Sequence, residues 1–254
     1  MLENKVILLT GGADGIGWNC ALAYAKAGAL VCIADKNPAG KEKIEGLAGS
    51  NHLFITCDIT DADDVKRVVN AIQSKYSRLD AVHNNAGTAF PSKPLDTTTD
   101  MEWETILNVN LKSILLTTRY SIEYLKTAKG CILNTSSLVG DIGQENHAAY
   151  VATKGAVNAL TKAMALDYAK AGIRVNAIAP AAIKTPMLVK WGQQQPNADR
   201  IERYLDNLQP LGKMPEGDVI ADACVFLISD AARFVTGHIL TVSGGAELGY
   251  RTQL

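Results

Sequence analysis

The chain has 254 residues, 47% of them apolar and 20% charged, with a formal net charge of −1. That size and balance suit one α/β domain with a large core and leave no electrostatic footprint for nucleic acid or an anionic membrane. Val6 to Leu9 is too short to span a bilayer, and Met1-Leu2-Glu3-Asn4-Lys5 does not open a signal peptide, so a soluble cytoplasmic protein acting on a small molecule is expected.

Short apolar, β-branched runs predict strands at Lys5–Thr10, Leu30–Ala34, His52–Cys57, Ala81–Asn84, Cys131–Thr135, Arg174–Ile178 and Ile239–Val242. Helical spacing predicts helices at Gly15–Ala27, Ala62–Tyr76, Met101–Leu125 and Ala149–Ala169. Continuous apolar strands are buried on both faces, which means a parallel sheet covered by helices. The alternation predicts an α/β fold: a single-domain, doubly wound Rossmann sheet of about seven strands over residues 1–254. Pro180 to Pro215 breaks the rhythm with five prolines and is expected to form a lid at a carboxyl edge of the sheet, with a short helix at Asp199–Leu208.

The first strand runs into Thr10-Gly11-Gly12-Ala13-Asp14-Gly15-Ile16-Gly17. Glycines let a backbone turn tightly against a pyrophosphate, and the helix that follows offers free N–H groups to the same anion. The second strand ends at Asp35, about 20 residues on, where a dinucleotide fold places a carboxylate for the ribose hydroxyls. Such a carboxylate repels the extra phosphate of NADP by about 4 kcal/mol for unit charges ~4 Å apart at an effective dielectric of ~20. Asp14 adds negative charge nearby, while Lys36 could reach a phosphate; NAD is the expected cofactor.

Tyr150 and Lys154 stand four residues apart, on one face of a helix. A phenol titrates near pH 10, so a general base working near neutrality needs about 4 kcal/mol of differential stabilisation. A neighbouring ammonium and a cationic nicotinamide are expected to supply it. Thr135-Ser136-Ser137 brings hydroxyls to a strand end. The five cysteines and four histidines show no metal-site spacing, so no metal is expected.

These pieces, with Asn84-Asn85-Ala86-Gly87, Asn110 and Pro180…Thr185, resemble the short-chain dehydrogenase/reductase family nearly end to end; Ser137 lies thirteen residues before Tyr150, as in the family pattern. The resemblance implies that Tyr150 is the general acid/base and that Lys154 lowers its pKa and holds the nicotinamide ribose. It implies that Ser137 hydrogen-bonds the reacting oxygen and that Asn110 anchors a relay water. Gly11, Asp14, Gly15, Ile16, Gly17, Asp35, Ala86 and Gly87 would line the dinucleotide site, and Asp58 and Ile59 would flank the adenine. Asn84 and Pro180 would belong to the cofactor site, Asn84 as a support, and Ile183 and Thr185 would hold the carboxamide. One departure is Ala181 where the family has glycine; a positive φ there would strain the turn.

Closer similarity is to the type-14 17β-hydroxysteroid dehydrogenase and L-fucose dehydrogenase branch. Gln144-Glu145-Asn146-His147 should line the pocket mouth with hydrogen-bonding groups. Those suit sugar hydroxyls, since a buried unpaired polar group costs about 1–3 kcal/mol. Gln144, His147 and Trp191 are therefore expected to meet substrate, and oxidation of an aldopyranose at C1 to a lactone, L-fucose foremost, is expected. A hydroxysteroid or other secondary alcohol is the alternative; a non-catalytic dinucleotide sensor is more remote, because Ser137, Tyr150 and Lys154 are all present. The helix after Tyr150 is apolar around much of its circumference, which with the resemblance implies a homotetramer, with Tyr250 reaching a neighbour's site.

Overall fold

The computed structural model describes residues 1–90, 92–195 and 197–249. Seven strands form one parallel sheet: β1 (Val6–Thr10), β2 (Leu30–Asp35), β3 (Leu53–Thr56), β4 (Ala81–Asn84), β5 (Cys131–Thr135), β6 (Arg174–Pro180) and β7 (Ile239–Val242). Their order across the sheet is β3-β2-β1-β4-β5-β6-β7. The chain thus winds outward from β1 to β3, then reverses through β4. The crevice between β1 and β4 is the switch point where open sheets of this kind bind ligands.

The helices are α1 (Gly15–Lys26), α2 (Gly40–Lys43), α3 (Ala62–Tyr76), α4 (Asp100–Leu107), α5 (Ser113–Ala128), α6 (Ala148–Tyr168), α7 (Pro186–Gln193), α8 (Ala198–Leu208) and α9 (Asp218–Ile228). On one sheet face Leu9, Ala81, Leu133 and Ile178 pack with Cys20 and Tyr24 of α1 and Cys224 of α9. On the other Leu8, Val82, Ile132 and Val175 pack with Val68, Leu116 and Val157 of α3, α5 and α6. Alternate strand residues therefore serve opposite layers, as the pleat requires. No helix among the described residues is long and apolar enough to cross a membrane.

Three features differ from the expected elements. The run Met101–Leu125 is not one regular helix: a π-helical turn at Asn108–Lys112 separates α4 from α5. The segment after β6 holds two helices rather than one; Thr185 accepts from the Leu188 N–H at the start of α7, and Pro186 occupies its first turn, where proline loses no bond. Helix α9 was not expected at all. Its residues Ile220, Ala221, Cys224, Val225, Leu227 and Ile228 are all buried, so no polar stripe marks its period.

Candidate active site

The carboxyl edge of the sheet opens into a cavity of about 750 Å³. Its β1 end is built by the glycine turn. Gly11 has a φ of +65°, and a Cβ there would stand 2.8 Å from Ala86 Cα; at Gly17 a Cβ would collide with the Gly11 carbonyl. Only glycine lets the two backbones approach so closely. Asp14 caps α1 by accepting from the Gly15 N–H at 2.7 Å. Asp35 accepts from the Ala13 and Asn37 N–H groups, each at 2.9 Å, which holds its carboxylate at the cavity wall. Ile16, Asp58, Ile59, Ala86, Gly87, Pro180, Ile183 and Thr185 line the same cavity. The tight turn, free helix end and fixed carboxylate fit a nicotinamide dinucleotide.

Asn84 is the exception. Its side chain faces away, donating to Asn134 Oδ1 at 2.9 Å and accepting from Thr117 Oγ1 at 2.7 Å. The neighbouring Asn85 faces the site instead, and its amide donates to the Thr10 and Gly11 carbonyls at 3.1 and 3.0 Å. Successive strand residues point to opposite faces, so a one-residue difference decides which asparagine serves the turn.

Tyr150 and Lys154 come together as their spacing predicts. The Lys154 ammonium lies 5.6 Å from the Tyr150 ring centre and donates to the Thr135 carbonyl at 2.8 Å. Lys154 is 4% exposed, and burial pulls its pKa down to about 8. The phenol departs from expectation: burial pushes the Tyr150 pKa up, and the Ser137 side chain only partly opposes this. Burial thus favours the neutral phenol in the cofactor-free protein. Ser137 itself is held extended at the start of a short turn, with its hydroxyl facing the Val139 N–H at 3.4 Å.

Asn110 does not line the cavity; its side chain is spent on bracing. Oδ1 accepts from the Thr88 N–H at 2.8 Å, while Nδ2 donates to the Thr88 carbonyl at 3.0 Å and to Thr153 Oγ1 at 3.1 Å. The π-turn carries it there, joining the loop after β4 to α6. Both Nδ2 hydrogens are thus committed, while Oδ1 keeps one acceptor position.

At the substrate end Gln144, His147 and Trp191 line the cavity. His147 is buried, meets Ser92 Oγ through Nδ1 at 3.1 Å, and packs edge-on to Trp191 with ring centres 5.5 Å apart. Burial lowers its pKa, so it favours the neutral imidazole. Tyr250 lies outside the described residues. The apolar lid wall adds Met187, Leu188, Tyr204, Leu205 and Leu208, unanticipated from sequence. The i, i+3 and i+4 spacing within α8 carried that signal. Ala181 has no positive φ, so the substituted glycine leaves no strain.

A dinucleotide fold with a tyrosine, lysine and serine at its carboxyl edge defines an oxidoreductase. The enoyl-(acyl carrier protein) reductase family model matches residues 11–247, and the chain belongs to the short-chain dehydrogenase/reductase family, oxidoreductases acting on CH–OH groups. It is 40% identical over 247 residues to L-fucose dehydrogenase of Bos taurus, covering 97% of this chain and 90% of that protein. Cyclopentanol dehydrogenase of Comamonas testosteroni is 39% identical over 249 residues, covering 96% and 97%. Among solved structures, 3-ketoacyl-(acyl-carrier-protein) reductase from Brucella melitensis complexed with NADH matches with a TM-score of 0.89 and 35% identity, over 97% of this chain and 99% of that one.

Proposed function

We propose that this protein oxidises the C1 hydroxyl of an aldopyranose, L-fucose foremost, to the lactone, with NAD as hydride acceptor. The observation that carries the reading is the mixed lining of the pocket: Gln144, His147 and Ser137 offer hydrogen bonds, while Met187, Leu188 and Trp191 offer apolar surface. A 6-deoxysugar has that duality: ring hydroxyls that need partners, and a methyl group and C–H face that need apolar contact. Likeness to L-fucose dehydrogenase over nearly the whole chain supports it.

In this reading a bound nicotinamide supplies the hydride acceptor. Ser137 orients the reacting oxygen. Tyr150, as the phenolate that Lys154 stabilises across one helical turn, takes the hydroxyl proton and becomes the neutral phenol. Asp35, fixed by two backbone N–H groups, favours NAD over NADP through its unscreened charge near the ribose. The apolar lid also favours a second reading, an alicyclic secondary alcohol such as a steroid or cyclopentanol.

One panel separates these. Purified protein is incubated with NAD⁺ or NADP⁺ and aldoses with and without the 6-methyl group, hydroxysteroids and cyclopentanol, following nicotinamide absorbance. L-Fucose with NAD⁺ is expected to give the highest kcat/KM. Turnover of the steroid or cyclopentanol with none of any aldose would overturn the sugar assignment.

A further inference from the structure

Behind the site, on the α1 and α9 side of the sheet, lies a buried group that the chemistry above leaves unused. His83 of β4 is 0% exposed. Its Nδ1 meets Tyr24 Oη at 2.9 Å, and its Nε2 meets Thr135 Oγ1 at 2.9 Å. Thr135 is the last residue of β5, and its carbonyl is the one that receives Lys154. Thr135 Oγ1 also reaches Asn85 Oδ1, at 3.4 Å, and Asn85 holds the glycine turn.

The direction of this chain is fixed at its far end. The Thr10 and Gly11 carbonyls can only accept, so Asn85 presents Nδ2 to them and Oδ1 to Thr135. The Thr135 hydroxyl must then donate to Oδ1 and accept from His83 Nε2–H. The imidazole is therefore the Nε2–H tautomer, and Nδ1 accepts from the Tyr24 hydroxyl. Cys20 of α1 and Cys224 of α9 complete the surroundings of His83, and their sulfurs lie with a His83 ring nitrogen inside a group spanning 4.8 Å. Such donors could suit a metal ion, but the Nδ1 lone pair is already engaged by Tyr24, so hydrogen bonding satisfies the group.

We propose that His83 is a positioning residue for the redox site: through Thr135 it holds in register the carbonyl that anchors Lys154 and the asparagine that braces the dinucleotide turn. The inference rests on the reading of Tyr150 and Lys154 as the proton-transfer pair. Its physical basis is that one residue, Thr135, is bonded at its side-chain hydroxyl to the core and at its main-chain carbonyl to the lysine. With the hydroxyl loose, that peptide keeps, besides the lysine, only the Ser136 N–H bond to the Ile178 carbonyl at 2.8 Å, and misplacing a reacting group by about 1 Å can cost on the order of a hundredfold.

Three variants test it: His83→Leu, which removes both ring bonds; His83→Gln, which can restore the donor to Thr135; and Tyr24→Phe, which removes one hydroxyl. His83→Leu is expected to lower kcat between about ten- and a hundredfold with a smaller change in substrate KM. It should also move the acid limb of the kcat profile for alcohol oxidation to higher pH, because a loosened ammonium stabilises the phenolate less. It should weaken NAD⁺ binding, measured by titration without substrate, and His83→Gln should recover most of each loss. ¹⁵N imidazole spectra of the cofactor-free protein should show the Nε2–H tautomer and keep it in Tyr24→Phe, because Asn85 and Thr135 fix the other end of the chain.

Wild-type kcat, pH profile and NAD⁺ affinity in a folded His83→Leu would overturn the proposal, as would equal losses in the Leu and Gln variants. If His83→Leu does not fold, an Nδ1–H tautomer in the wild-type spectra, which would leave Nε2 unable to donate to Thr135, overturns it. A Lys154→Met control separates the two layers: unchanged turnover there sinks the proton-transfer reading itself, whatever His83 does.

Discussion

Lys154 carries a cost that the cofactor-free protein should reveal. Its ammonium is buried with one carbonyl partner, and its pKa falls from the ordinary 10.5 to about 8. Below about pH 8 the lysine is protonated in both folded and unfolded chains, and folding bears the full desolvation penalty. Between about 8 and 10.5 the unfolded chain holds a proton that the folded chain has lost, so stability contributed by this residue rises with pH. The difference corresponds to about 3 kcal/mol, complete only above about 10.5. Urea unfolding of wild type and Lys154→Met should therefore give a stability difference that shifts in favour of wild type across that window; a flat difference would contradict it. In the proposed chemistry the buried ammonium serves Tyr150, whose own pKa burial raises. The pair was legible because both residues share one helix and a fixed spacing. Asn84 was misassigned because the motif Asn84-Asn85 does not say which side chain points into the cavity.

At the scale of elements, the strands were legible because a doubly covered parallel strand must be an unbroken apolar run. The π-turn at Asn108–Lys112 was not, since it changes no residue periodicity strongly enough to see. Nor were the groupings that the sheet creates between distant segments, such as Tyr24, His83 and Thr135. The lid lies between these cases: its prolines announced it and its spacing announced α8, but not α7. Trp191 on α7 reaches the site through His147, which stands between it and Tyr150 with ring centres 5.5 and 6.5 Å away. An edge contact of this kind is worth about 0.5–1.5 kcal/mol. Because the indole touches the lid wall and not the reacting atoms, Trp191→Ala should raise the KM for the alcohol up to about tenfold while kcat changes much less. An equal fall in kcat with unchanged KM would instead make the indole part of the transition-state contacts.

Among the described residues, one face of α6 is uncovered. Val157, Met164 and Ala165 are buried against the sheet, while Ala152, Ala159, Ala163 and Leu166 are exposed, Leu166 by 81%. On α5, the exposed Leu115 adds apolar surface. A helix apolar on both sides requires a second partner, and a symmetric assembly provides one by setting the same face against its copy. We propose that α5 and α6 form a contact between copies of this chain. Because a two-fold interface repeats each residue, a charge placed at Leu166 meets the interface twice, and Leu166→Glu should shift the assembly toward smaller species in sedimentation velocity. The variant should keep its fold, since Leu166 is solvent-facing within the subunit. Sedimentation of the wild type as a monomer, or an unchanged assembly in Leu166→Glu, would remove α6 from the interface.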